Sequence, residues 1–260
     1  MKGLAIVSSI AISGIMFACV YGSSAFAMIV RRILPEHHLS ADSRDAMKVG
    51  MGLIATLTAL VLGMLIATAK GTYDAQSTAI NELSANYLLL DRVLARYGPE
   101  TKEARELLKS NVAATVEQIW PKDSAQTANL APVGQVKPAG DALYDKVADF
   151  VPKTESQREL RARALGIMAD TAQARLRLFA RQDSSLPLPF LLVLLFWLMI
   201  LFGGYGLMAP SNATVVVTLI VCALSVSGAI FLMLELTTPF AGVMRVSSAP
   251  LHQALSILGQ

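Results

Sequence analysis

The sequence predicts an all-α membrane protein: four transmembrane helices, with a helical extramembrane bundle inserted between spans two and three. Three observations predict it. Of 260 residues, 54% are hydrophobic and only 16% are charged, where soluble domains carry about a quarter charged residues, and mean hydropathy is +0.52. The apolar residues fall in four blocks, each near the roughly 20 residues that a helix needs to cross about 30 Å of hydrocarbon. The one sizeable polar block, 71–186, repeats its apolar residues at alternating spacings of three and four, the period of a helix that buries one face.

The first block, Leu4–Val30, is apolar but rich in serine and glycine. Lys2, the apolar stretch and "SSAFA" ending at Ala27 also fit a cleavable secretory signal. Its length, and the Arg31-Arg32 pair that follows at once, favour a span. The second block, Val49–Ala69, has no charge, and no proline interrupts 48–98. It is therefore expected to leave the bilayer as one helix of about fifty residues, about 75 Å long. Beyond the membrane, Ile80, Leu83, Tyr87, Leu90, Leu94 and Tyr97 form an apolar seam for another helix. Gly98 suits a helix C-cap and Pro99 the start of the next helix, over 100–120. Residues 121–138, rich in Pro, Gly, Ser and Asn, read as a loop. Helices over 139–151 and 153–182 follow, the second burying Leu165, Met168, Ala172, Leu176 and Phe179. Pro187 precedes the third span, Leu188–Met208, and "APSN" turns tightly into the fourth, Ala213–Leu234. The chain thus divides into spans one and two (1–70), the helical extramembrane domain (71–186), a transmembrane hairpin (187–236) and a short amphipathic tail (237–260) whose spaced apolar residues suit a bilayer surface.

Composition narrows function. A net charge of +3 without a basic cluster gives no footprint for nucleic acid. Cys19 and Cys222 lie inside apolar runs, and His37, His38 and His252 lack ligand spacing, so no disulfide framework or metal site is predicted. No nucleophile elbow, phosphate loop or HExxH is present, and neither an enzyme nor a cofactor is predicted. Gly14, Gly22, Gly50, Gly52, Gly63, Gly203, Gly204 and Gly206 are expected to let helices approach closely, in preference to leaving room around a pore.

Glu235 is the one acid in the last span, and Pro239, Phe240 and Gly242 stop the helix just after it. A carboxylate in hydrocarbon is costly, so it is expected to reach interfacial water or pair with Arg245 or Lys70; the sharper alternative puts it on a permeation path or at a subunit contact. Arg175, Arg177 and Arg181, close to the third span, belong to a solvated face or concentrate anions at a pore mouth. For orientation, Arg31, Arg32, Arg44 and Lys48 outweigh Lys2 across the first span. That bias puts the loop in the cytoplasm, with the termini and helical domain outside; Lys70, Arg175, Arg177, Arg181 and Arg245 count on the other side.

Two windows resemble one family. "LGMLIATAKGTYDAQSTAINELSANY", from Leu62, resembles the exit of the second transmembrane helix in bestrophin-like proteins, where a Tyr-Asp pair opens a charged helical continuation. "LELTTPFAGVMRVSSAPLHQAL", from Leu234, is similar to the acidic-x-x-Pro-Phe-Gly region after their last span. The architecture is that of the bacterial bestrophin-like family, distantly similar to bestrophin anion channels. The resemblance implies a homo-oligomer, pentameric in the channels, that passes an inorganic anion along the second helix. Thr56, Leu60, Gly63, Ala67 and Lys70 share one face there and would line the path. Tyr73, Asp74, Glu235, Pro239 and Phe240 would form a gate or subunit contact. The chain departs from the pattern twice: Ala75, Gln76 and Ser77 replace the aromatic-rich continuation, and Ala241 separates Phe240 from Gly242. Bestrophins also hold their large domain in the cytoplasm, against the charge bias. The competing function is a non-conducting membrane scaffold that binds a partner through its helical bundle.

Overall fold

The computed structural model describes residues 2–33, 41–120, 139–180, 188–210, 212–240 and 242–259. Eight α-helices and no strand are found among them: α1 (Lys2–Ile33), α2 (Ala41–Tyr97), α3 (Lys102–Ile119), α4 (Ala139–Ala148), α5 (Glu155–Ala180), α6 (Leu188–Met208), α7 (Ala213–Leu236) and α8 (Ala249–Ile257). The predicted loop over 121–138 lies outside the described residues, as does Arg181. The chain forms two compact units, one of Gly3–Thr72 with Ser185–Met244, the other of Tyr73–Ser184 with Arg245–Gln260 and the first two residues.

The first unit holds the four helices long and apolar enough to cross a membrane. Only 17% to 28% of their apolar windows is buried, so most of their apolar surface faces outward. Its core is narrow: Met16 and Val20 of α1, Leu194, Leu198 and Phe202 of α6, and Ala223, Ile230 and Met233 of α7. Small residues and backbone make the closest approaches. A Cβ added to Gly206 would overlap the Ser24 carbonyl oxygen and lie 3.0 Å from the Ser24 carbonyl carbon and Cα. At Gly204 the obstacle is the mobile end of Met51. By contrast, a Cβ at Gly14, Gly22, Gly50, Gly52 or Gly63 would meet nothing within 4 Å. Glycine therefore serves packing at α6, and most of the others stand on open faces. Arg31 donates to the carbonyls of Met208 and Ala209, satisfying acceptors that the end of α6 leaves free.

In the second unit, the outer part of α2 buries its whole predicted seam: Ile80, Leu83, Tyr87, Leu90, Leu94 and Tyr97 are all at most 5% exposed. At 57 residues, α2 exceeds the sequence expectation because its helix begins at Ala41, about two polar turns before the apolar block. It stops at Gly98, whose φ of 145° disfavours a side chain. Thr101 then folds back, its Oγ1 donating to the Leu94 and Gly98 carbonyls at 2.7 and 2.8 Å. Asp91 and Arg105 join α2 to α3 through two near-parallel bonds of 2.8 and 2.9 Å, largely out of solvent. The Asp91 hydrogen bond holds the Arg105 guanidinium above its ordinary pKa.

Two expectations are corrected. In α5 the buried line is Ala164, Thr171, Ala174 and Leu178, whereas Leu176 is 51% exposed and Ala172 is exposed as well. Small residues make up most of the contact face, so a search for bulky apolar residues finds it only in part: Leu165 and Met168 are half-buried, and the Phe179 side chain lies outside the described residues. The tail does not spread its apolar face on a surface: Leu251, Ala254 and Leu258 are at most 1% exposed, α8 packs on α3, and Ser84 donates to the Pro250 carbonyl at 2.8 Å.

Candidate functional site

The face of α2 that carries Thr56, Leu60, Gly63, Ala67 and Lys70 is exposed at every one of these positions, with Leu60 at 69%. Met51, Thr58, Leu65 and Ala69 form the buried line of the same helix. At about 100° per residue, the exposed stripe centres roughly 155° around the helix from that line. It takes no part in packing this chain's own spans. It is also less polar than its sequence suggests. The Thr56 hydroxyl donates to the Gly52 carbonyl at 2.9 Å, which leaves the methyl to present outward. From Thr56 to Ala67 the stripe offers methyl, isobutyl and backbone surface; Lys70 adds the first charge.

At the end of α7 the chain builds a closed loop around Glu235, which is 0% exposed. Its Oε2 accepts hydrogen bonds from the backbone N–H of Val243 and, at 3.4 Å, of Met244. Oε1 has no hydrogen-bond partner among the described residues. The loop reaches the carboxylate because Thr237 and Thr238 carry the last turn onward, their N–H groups donating to the Leu234 and Glu235 carbonyls at 3.2 Å. Pro239, three residues past the end of α7, and Phe240 at 6% exposure are both buried. Gly242 is required twice over. Its φ is 105°, and an added Cβ would overlap Glu235 Oε2 and lie 3.1 Å from its carboxyl carbon.

This corrects the expectation for Glu235. It neither reaches water nor pairs with Lys70 or Arg245; it is a buried carboxylate held by main-chain donors. Backbone partners have no side-chain signature, so charge pairing was the wrong place to look. The glycine three residues after Pro239 was the available signal. Glu235, Pro239 and Phe240 are thus brought together with Gly242. Tyr73 and Asp74 belong to the other unit, where the Tyr73 hydroxyl donates to the Arg245 carbonyl at 3.4 Å and Asp74 is exposed. Of the three arginines, Arg181 lies outside the described residues; Arg175 donates to Thr115 Oγ1 at 3.2 Å, and Arg177 lines a different surface together with Gln76.

The fold and these positions can now be set beside known proteins. A family model described as a Bestrophin-like domain matches residues 17–251. The chain belongs to the bestrophin-like family, and with its four apolar helices it is an integral membrane protein. Among solved structures it is similar to a bacterial bestrophin homologue from Klebsiella pneumoniae, with TM-score 0.68, 13% identity, and 94% of this chain and 96% of that chain covered. A point mutant of the Klebsiella pneumoniae homologue gives TM-score 0.69 and 14% identity, with 95% and 99% covered. No curated protein matches the sequence. At these identities the likeness carries the fold, and function has to be argued from the residues.

Proposed function

We propose that the protein is a homo-oligomeric anion channel, not an enzyme, whose subunits turn the Thr56–Lys70 face of α2 toward a shared axis. The observation that carries this reading is the exposure of all five stripe residues on the side of α2 away from its own bundle. A ring of such faces gives a narrow apolar passage around Leu60, of the kind that gates by dewetting. At its end Lys70 supplies positive potential that favours anions. The five-fold ring comes from the family resemblance. Glu235 and its loop act here as a structural latch that fixes the exit of α7; Pro239 and Phe240 in that loop, and Tyr73 and Asp74 in the other unit, are the candidates for a gate or subunit contact. We place the protein in a bacterial inner membrane. Following the charge bias of the first loop, the N-terminus and the helical unit lie outside.

The test is chloride efflux from liposomes carrying the purified protein. Efflux above that of empty liposomes, reduced by Lys70→Glu, is the expected result. No efflux from protein that is inserted and folded would instead favour a membrane scaffold acting through its helical unit.

A further inference from the structure

Outside the stripe and the Glu235 loop, the second unit contains a cavity of about 220 Å³ between the outer part of α2 and the end of α5, lined by Gln76, Thr78, Glu82, Arg177 and Leu178 and by the small side chains of Ala75 and Ala79. Gln76 is only 3% exposed, and its Oε1 accepts no hydrogen bond from any described residue. An amide oxygen left unpaired under burial costs about 1–3 kcal/mol, so such groups call for an explanation. Two further features share this cavity. Glu82 from α2 and Arg177 from α5 both line it, yet they form no ion pair with each other or with any described residue. Opposite charges that face one space and stay apart leave room for a ligand that answers both.

We propose that this cavity binds a small zwitterion, its carboxylate on Arg177 and its ammonium between Glu82 and Gln76 Oε1. The guanidinium fork matches a carboxylate in a bidentate way, and an ammonium has donors for both a carboxylate and an amide oxygen. A simple anion would be repelled by Glu82, and a simple cation by Arg177. The volume is below the roughly 300–1,000 Å³ of sites for drug-sized molecules, which limits the ligand to amino-acid size. Polar Gln76 also stands where the family resemblance leads one to expect an aromatic-rich continuation, so this chemistry belongs to this chain. The site does not depend on conduction, and binding can be read without any flux.

The experiment is isothermal titration of the detergent-solubilised full chain with glycine and with 5-aminopentanoate, two zwitterions of different charge separation, against acetate and methylammonium at matched ionic strength. The expected result is one saturable site per chain for at least one zwitterion, with both single-charge probes at least about tenfold weaker, a gap of about 1.4 kcal/mol. Arg177→Ala and Glu82→Ala should each weaken the zwitterion by a similar factor, and Gln76→Leu should weaken it as well. Elution volume and helical circular dichroism establish that each variant is folded; Arg177→Lys and Glu82→Asp are the conservative versions should an alanine variant fail. Binding of neither zwitterion, or zwitterion binding that all three substitutions leave unchanged, overturns the proposal. Acetate binding as strong as the zwitterion and unaffected by Glu82→Ala overturns it in favour of a plain anion site.

Discussion

Adding one methyl group at Gly206 should separate the part of the α1–α6 contact that depends on backbone from the part that depends on side chains. A Cβ there would run into the main chain of Ser24, which cannot rotate away, and Ser24 itself is 0% exposed. The helices must move apart locally, and overpacking of this kind costs about 1–3 kcal/mol. Gly204 and Gly203 are the controls on the same helix. At Gly204 the obstacle is the Met51 thioether, a flexible chain end that can swing aside, so Gly204→Ala should cost less than about 1 kcal/mol. At Gly203 the nearest atom is 3.9 Å away, an ordinary contact, and Gly203→Ala should be close to neutral or slightly stabilising through helix propensity. The assay is reversible unfolding of the purified protein in mixed micelles, followed by circular dichroism. The order of stability should be Gly203→Ala, then Gly204→Ala, then Gly206→Ala, with the last at least about tenfold lower in folding equilibrium, or 1.4 kcal/mol. A Gly206→Ala variant as stable as Gly203→Ala would refute the close approach of these two helices.

Three other substitutions probe the remaining structure. Glu235→Ala leaves the Val243 and Met244 N–H groups without an acceptor and should cost about 1–3 kcal/mol; Glu235→Gln keeps an acceptor in place and should cost clearly less, as read by the same unfolding assay. Asp91→Ala strands the Arg105 guanidinium at a mostly buried contact and should destabilise by about 2–3 kcal/mol, with Asp91→Ala/Arg105→Ala recovering part of the loss. A cysteine introduced at exposed Lys153, in a background lacking Cys19 and Cys222, should be labelled by an impermeant maleimide in intact cells if the helical unit lies outside. Protection of that cysteine would place the unit in the cytoplasm.

The helices of this protein were largely legible because their signals are periodic and local. Four apolar blocks, an uninterrupted run from 48 to 98 and the Gly98-Pro99 stop give α6, α7 and the C-terminal end of α2 nearly to the residue, while the start of α2 at Ala41 lies upstream of its apolar block. The α2 seam was equally plain, since large apolar residues recur at helical spacing and all are buried. In α5 the same rule worked only in part, because most of its contact face is Ala164, Thr171 and Ala174, and small residues carry little hydrophobic signal. The α8 pattern was read correctly as amphipathic, but one sequence does not say whether such a face meets lipid or protein; here it meets α3. Glu235 stood out as anomalous, while its partners are backbone amides brought round by Gly242, which no charge-pairing argument can find. Gln76 gave no sequence signal beyond standing where an aromatic residue was expected.

The most direct test of the central claim is flux through a single-cysteine protein, with Cys19 and Cys222 replaced and cysteine placed at Leu60. In chloride-loaded liposomes, a bulky charged thiol reagent should abolish efflux when it reacts at Leu60. The same reagent should leave efflux intact when the cysteine stands at Leu224 on α7, an equally exposed apolar position at 62%. Efflux that persists with Leu60→Cys fully modified, or no efflux from the unmodified protein, would contradict a conducting path along the outer face of α2.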